Sequence, residues 1–239
     1  MKQRIWELDA LRGLCILAMV VVHLVYDLID LFYLVSWDYP GIISLALDWG
    51  GILFLLLSGL CATLGHDPIR RGLHLLCTSL LITAATYLLY RIGFCGKDML
   101  IYFGILHCLG SAMLLWPLFR RCSLPVLLFC GIGCILLGGF LENLPPVAFP
   151  WLMPFGLPWA GFASGDYFPL FPNFGWFLLG AVIGRSLYAA KTTRFPSLDP
   201  QNPLFSFLQF CGRKSLWIYL LHQPILSALL LLAGMASNP

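Results

Sequence analysis

Seven stretches of this chain, at about 11–34, 42–64, 70–90, 99–119, 124–141, 167–189 and 206–233, are apolar over nearly the length a helix needs to cross a bilayer, roughly 20 residues. Hydrocarbon offers no hydrogen bonds to a bare backbone, so spans of this kind are helical. Composition agrees: 60% of the 239 residues are hydrophobic and 10% are charged, with mean hydropathy +0.87. A soluble domain carries about 25% charged residues. The expected fold is an all-α polytopic integral membrane protein of about seven transmembrane helices, one domain over residues 1–239, multi-pass in the cytoplasmic membrane with lipid as its surroundings.

Lys and Arg set the orientation. With a cytoplasmic N-terminus, Lys2, Arg4, Arg12, Arg70, Arg71, Arg120, Arg121, Arg185, Lys191, Arg194, Arg213 and Lys214 fall inside, and Arg91 and Lys97 outside. Twelve of 14 on one side predicts N-in, C-out. The net charge of +3 therefore reflects topology, and nucleic acid is not an expected partner. The nine cysteines lie mostly inside spans and form no CxxC pair, so they read as packing residues; no metal site is expected.

The first span is unusual. In "LDALRGLCILAMVVVHLVYDLIDL", residues 8–31, the apolar run that begins at Leu11 carries Arg12, His23, Asp27 and Asp30. A charge at mid-bilayer is unfavourable by roughly 2.5–3.5 kcal/mol even on the most lenient scale. Eleven residues separate Arg12 from His23, about three helical turns, while His23–Asp27 and Asp27–Asp30 are i,i+4 and i,i+3 pairs. All four share one stripe, which predicts the wall of a cavity or bundle interior. In the plainer alternative, His23 and Asp27 only satisfy each other between helices.

Depth adds to this. His23 is about 16 Å along the helix from Arg12, His222 about 13 Å from Arg213 and His107 about 20 Å from Arg120 at 1.5 Å per residue. Three imidazoles on three spans are thus expected at similar depth, and imidazole exchanges protons near neutral pH. Pro224 kinks the last span beside His222 and Gln223. Gly50, Gly51 and Gly59 in the second span favour close helix approach, with Asp48 and Trp49 toward its outer end.

Residues 142–166, "ENLPPVAFPWLMPFGLPWAGFASGD", contain five prolines and no Lys or Arg. A regular span is not expected; an aromatic flap at the outer interface is, either a lid or acceptor-binding wall using Trp151, Trp159 and Asp166 or a simple packing cap.

"LDALRG" followed by His23, "FLLLSG" in the second span and "GRKSLWIYLLHQPIL" in the last together resemble the transmembrane acyltransferase superfamily. The closer resemblance is to its bacterial heparan-α-glucosaminide N-acetyltransferase-like branch, on "HLVYDL", "YFGILHCLGSAMLL" and "DYFPLFPNFGWFLLGAVIGR". It implies acetyl transfer from cytoplasmic acetyl-CoA to an amine or hydroxyl of an extracytoplasmic sugar or glycan, and pairing into a homodimer. Lysosomal members use a luminal His beyond the first helix. Here the next His after His23 is His66, on the cytoplasmic side, so that role passes to His23 with Asp27.

Acyl transfer needs a base for the acceptor's proton and donors for the oxyanion. The expected base is His23, with Asp27 fixing its tautomer and His107 or His222 donating to the thioester oxygen or the acceptor. CoA phosphates are expected among Arg12, Arg70, Arg71, His74, Arg120, Arg121, Arg213 and Lys214. The acceptor is expected against Asp30, Asp48, Trp49, Trp151, Trp159, Asp166, Asn173 and Gln223. With no Cys or Ser in a nucleophile context, direct transfer in a ternary complex is favoured. A transporter or flippase for a small solute or acylated glycan is the alternative, but the paired repeats it predicts are not seen.

Overall fold

The computed structural model describes residues 5–32 and 34–237. Lys2 and Arg4 of the inner set of charges lie outside them. Eight helices follow in order: α1 Trp6–Tyr26, α2 Gly41–Leu64, α3 Pro68–Arg91, α4 Ile105–Phe119, α5 Leu124–Glu142, α6 Leu170–Leu187, α7 Pro203–Arg213 and α8 Ser215–Ser237. Among the described residues six segments are long and apolar enough to cross a membrane, and α4 is a shorter apolar helix. The protein is an all-helical polytopic membrane protein. Among the described residues, β structure is limited to one bridge between Phe103 and Tyr167.

Two boundaries differ from the sequence expectation. The stretch 206–233 is not one span but two helices parted at Lys214, whose N–H closes the end of α7 on the carbonyl of Phe210. Phe205, Phe207, Leu208 and Phe210 make α7 apolar enough to read as part of a span, but α7 instead packs along the first half of α1. Its Gly212 lies so near that a Cβ there would run into the carbonyl of Asp9, and one at Gly13 into that of Leu208. The stretch 99–119 is helical only from Ile105, because Leu100–Gly104 runs extended beside 164–168, with Gly165 donating to Leu100 O and Phe168 to Phe103 O at 2.9 Å each.

The chain forms two compact units, Met1–Phe54 with Ala190–Pro239, and Leu55–Ala189. In the first, α1, α7 and α8 pack together, and buried Glu7 ties down the segment before α7. Its carboxylate accepts from the Thr193 hydroxyl at 2.9 Å and the Arg194 N–H at 2.7 Å. In the second, the core is Ala112, Met113 and Trp116 of α4, Leu127 of α5 and Phe174, Phe177, Leu178 and Ala181 of α6. The end of α2 enters this core through Gly59 and α6 through Gly180, each pressed onto the other helix's backbone carbonyl. Backbone contact through small residues is how helices associate where no water drives them together. Gly50 does not share that role, since a Cβ there would meet nothing within 4 Å. Outward positions carry bare apolar side chains, such as Phe129 at 79% exposure, as lipid-facing surfaces do.

Candidate functional site

In the first unit, α1 and α8 bring together His23, Asp27, His222 and Gln223. The His23 and His222 rings meet edge to face with centroids 4.9 Å apart. Asp27 is fully buried, and both of its carboxylate oxygens accept from Gln223 Nε2, at 2.8 and 3.0 Å. Four residues distant in sequence in two pairs thus share one seam.

The tautomers follow from the partners. His23 Nδ1 lies 2.9 Å from the carbonyl of Met19, and His222 Nδ1 lies 2.6 Å from that of Tyr219. A carbonyl oxygen only accepts, so Nδ1 carries the proton in both rings and Nε2 presents its lone pair. Asp27 was expected to fix the His23 tautomer; in the structure the carbonyl of Met19 meets Nδ1, and Asp27 is engaged by Gln223. The cause is the five-residue π turn at Asp27–Leu31 that ends α1. Its wider winding breaks the stripe expected of a regular helix, sending Asp27 to α8 and Asp30 to the hydroxyl of Tyr39. Tyr39 carries no sequence signal for this contact. Arg12 pairs with Asp9 at 3.4 Å, while Arg213 and Lys214 are exposed at the α7–α8 break. Asp48 and Trp49 lie exposed on α2.

His107 belongs to the second unit, and its ring is used by the protein itself. The Gly104 N–H donates to Nδ1 at 3.2 Å, which leaves Nε2 to donate to Thr83 Oγ1 at 3.3 Å, and Thr83 in turn donates to Ile101 O at 2.7 Å. With both ring nitrogens engaged inside the protein, this imidazole closes the start of α4, at the residue the sequence offered as a donor in catalysis. Asp166 Oδ2 accepts from the Ile105 N–H at 3.0 Å, so it too caps α4. Asn173 is buried and donates to Pro169 O at 2.8 Å. The 142–166 segment is an ordered cap with a 3₁₀ turn at Pro150–Phe155. Trp159 meets Tyr102 at 5.5 Å and Phe162 at 4.8 Å edge to face, whereas Trp151 is exposed. Tyr167 donates to Met153 O at 2.7 Å, and burial pushes its phenol up to about 12.

At the other end of this unit a polar cavity of about 400 Å³ opens among Thr63, His66, Asp67, Trp116, Arg120 and Arg185. Of the basic residues assigned to CoA, Arg120 lines it. Arg71 leans over Gly65 at its edge, where a Cβ would meet the guanidinium at 2.5 Å, and Arg70, Arg121 and His74 are exposed. Arg185 and Trp116 were not expected to belong. Arg185 donates to the carbonyls of Cys122 and Arg120 and lies over the Trp116 ring. Its position at the end of an apolar run reads simply as a membrane anchor, and nothing in the linear pattern reports that it folds back on α4. Among the described residues no His, Cys, Asp and Glu cluster suits a metal ion.

The chain matches the family described as heparan-alpha-glucosaminide N-acetyltransferase, catalytic, over residues 4–224. No curated protein and no solved structure matches.

Proposed function

The chain belongs to the heparan-alpha-glucosaminide N-acetyltransferase catalytic family, and from that membership in a family of membrane acetyltransferases we propose a specific reaction. The protein moves an acetyl group from cytoplasmic acetyl-CoA to an amine or hydroxyl of a sugar or glycan held on the far side of the membrane. Transfer is direct, with His23 as the general base.

The observation that carries this reading is the edge-to-face meeting of half-buried His23 and His222 between α1 and α8, both rings with Nδ1 tied to backbone and Nε2 left as a base. A base of this kind accelerates proton removal by about 10²–10⁴-fold. The acceptor's lone pair attacks the thioester carbonyl carbon, its proton passes to an imidazole Nε2, and the C–S bond breaks to leave CoA thiolate, which is then protonated. Transfer within one complex needs no covalent enzyme intermediate. The polar cavity supports the donor side. Its arginines suit phosphate, and a guanidinium binds phosphate through paired N–H groups. The excess of Lys and Arg at these helix ends supports placing that side in the cytoplasm.

The test is acetyl-CoA binding and acetyl transfer to glucosamine by purified full-length protein and by His23→Ala. The expected result is wild-type turnover that falls at least 100-fold in His23→Ala, with acetyl-CoA affinity and thermal midpoint retained. Absence of acetyl-CoA binding by the wild type would sink the reading, and full turnover by His23→Ala would move the base elsewhere.

A further inference from the structure

We infer that Asp27 and Gln223 act as a pair to make the α1–α8 seam a subsite for a hydrogen-bond donor, and so for the nucleophile in place of the thioester. This rests on the acetyl-transfer reading for the identity of the two substrates, but the polarity of the seam follows from the geometry alone.

A carboxylate only accepts hydrogen bonds. With both Asp27 oxygens taken by Gln223 Nε2, the amide nitrogen is committed, and Gln223 Oε1 faces away from Asp27. That oxygen is buried and has no hydrogen-bond partner among the described residues. The adjacent His222 is in the same state: Nδ1 is spent on Tyr219 O, and Nε2 is buried without a partner among the described residues. His23 repeats the pattern across the seam, with Nδ1 spent on Met19 O. Gln223 and His222 are therefore each pinned through a donor and each leave a buried acceptor over, while His23 is pinned in the same way through Nδ1. Buried acceptors are satisfied in native proteins, so a group that gives hydrogen bonds belongs here.

This decides between the two substrates. A thioester carbonyl and the oxyanion formed from it are acceptors, and they offer nothing to the two buried acceptors Gln223 Oε1 and His222 Nε2. An amine or alcohol brings N–H or O–H and meets lone pairs at His23, His222 or Gln223. His222 is then on the nucleophile's side, where Nε2 orients the acceptor or takes its proton, and it does not donate to the oxyanion as the sequence reading allowed. Asp27 acts at one remove. It holds the amide of Gln223 in a single sense, which Gln223 alone, with similar faces, would not keep.

Two measurements test this. The first needs no substrate: imidazole ¹⁵N NMR of His-labelled full-length protein in detergent, assigned with His23→Gln and His222→Gln. Both histidines are expected as Nδ1–H tautomers at neutral pH. An Nε2–H tautomer at His222 overturns the proposal whatever the enzyme turns out to catalyse. The second uses glucosamine and glucose, which offer an amine and a hydroxyl at the same carbon, as acceptors. Gln223→Met, which keeps length but loses the acceptor, should raise the acceptor KM about tenfold or more and leave the acetyl-CoA KM unchanged. Asp27→Asn, which frees the Gln223 amide to turn over, should raise the same KM by a smaller factor. A rise confined to the acetyl-CoA KM overturns the assignment of the seam to the nucleophile. Which sugar responds tells amine from hydroxyl. Wild-type transfer to neither, with the Nδ1–H tautomers present, would fail the acetyl-transfer reading while leaving the donor subsite standing.

Discussion

Arg185 lies over the Trp116 ring, its guanidinium carbon 5.4 Å from the ring centre, while its N–H groups reach the carbonyls of Arg120 and Cys122. One side chain from the end of α6 thereby closes the end of α4 and fixes the turn that carries Arg120 and Arg121. Helix carbonyls left over at a C-terminus need such a partner, and a cation there is also favoured by the helix dipole.

Arg185→Lys keeps the charge but cannot fork to two carbonyls. The expected loss of stability is about 1 kcal/mol, since the site is only partly buried. Acetyl-CoA affinity should fall with it, because Arg120 is no longer held at the cavity. Thermal unfolding in detergent and a CoA titration on the same preparation check both. An unchanged CoA affinity would mean that the α4–α5 turn plays no part in phosphate binding.

His107→Ala removes the acceptor for the Gly104 N–H and leaves Thr83 without its ring partner. An expected loss of about 1–3 kcal/mol follows from stranding buried polar groups. His107→Asn, which restores an acceptor near Nδ1, should recover part of it. Turnover per folded molecule should stay near wild type in both. A folded, stable His107→Ala with turnover down 100-fold would return this residue to the catalytic set.

Gly13 and Gly212 let α1 and α7 touch backbone to backbone. A Cβ at either must push the helices apart, and overpacking of this kind typically costs about 1–3 kcal/mol. Gly13→Val and Gly212→Val should both lower the thermal midpoint, whereas Gly50→Ala enters open space and should be neutral or slightly stabilising. Equal effects at all three positions would contradict the packing described here.

The Lys and Arg distribution predicts that the 65–71 loop faces the cytoplasm and 142–166 the outside. Single cysteines at Asp67 and Trp151, in a variant with the nine native cysteines replaced, should label from opposite sides of sealed vesicles. Labelling of position 67 from outside would invert the orientation and put the arginine-lined cavity on the side without CoA.

The membrane-spanning class and six of the helices were legible in the sequence, because apolar length is a local property with a large energetic penalty behind it. Pro150, Pro154 and the absence of Lys and Arg likewise marked 142–166 as something other than a span. The break at Lys214 was not legible. The phenylalanines of α7 have the hydropathy of a span, and only the backbone contact at Gly13 and Gly212 shows that α7 lies against α1.

The candidate site divides the same way. Sequence named His23, Asp27, His222 and Gln223, since ionisable and amide groups in apolar helices are conspicuous one at a time. It placed Asp27 on His23 because an i,i+4 pair is the nearest partner on a regular helix, and it could not foresee the contacts of His107 because depth along a helix says nothing of what a ring touches. Tertiary structure decided the partners. A π turn re-aimed Asp27 to Gln223 on a helix 196 residues away, and the extended segment before α4 delivered the Gly104 N–H to His107. Which residues are too costly to bury without reason is written in the chain; which hydrogen bond answers each of them depends on direction and a few tenths of an ångström, and those exist only once the helices have packed.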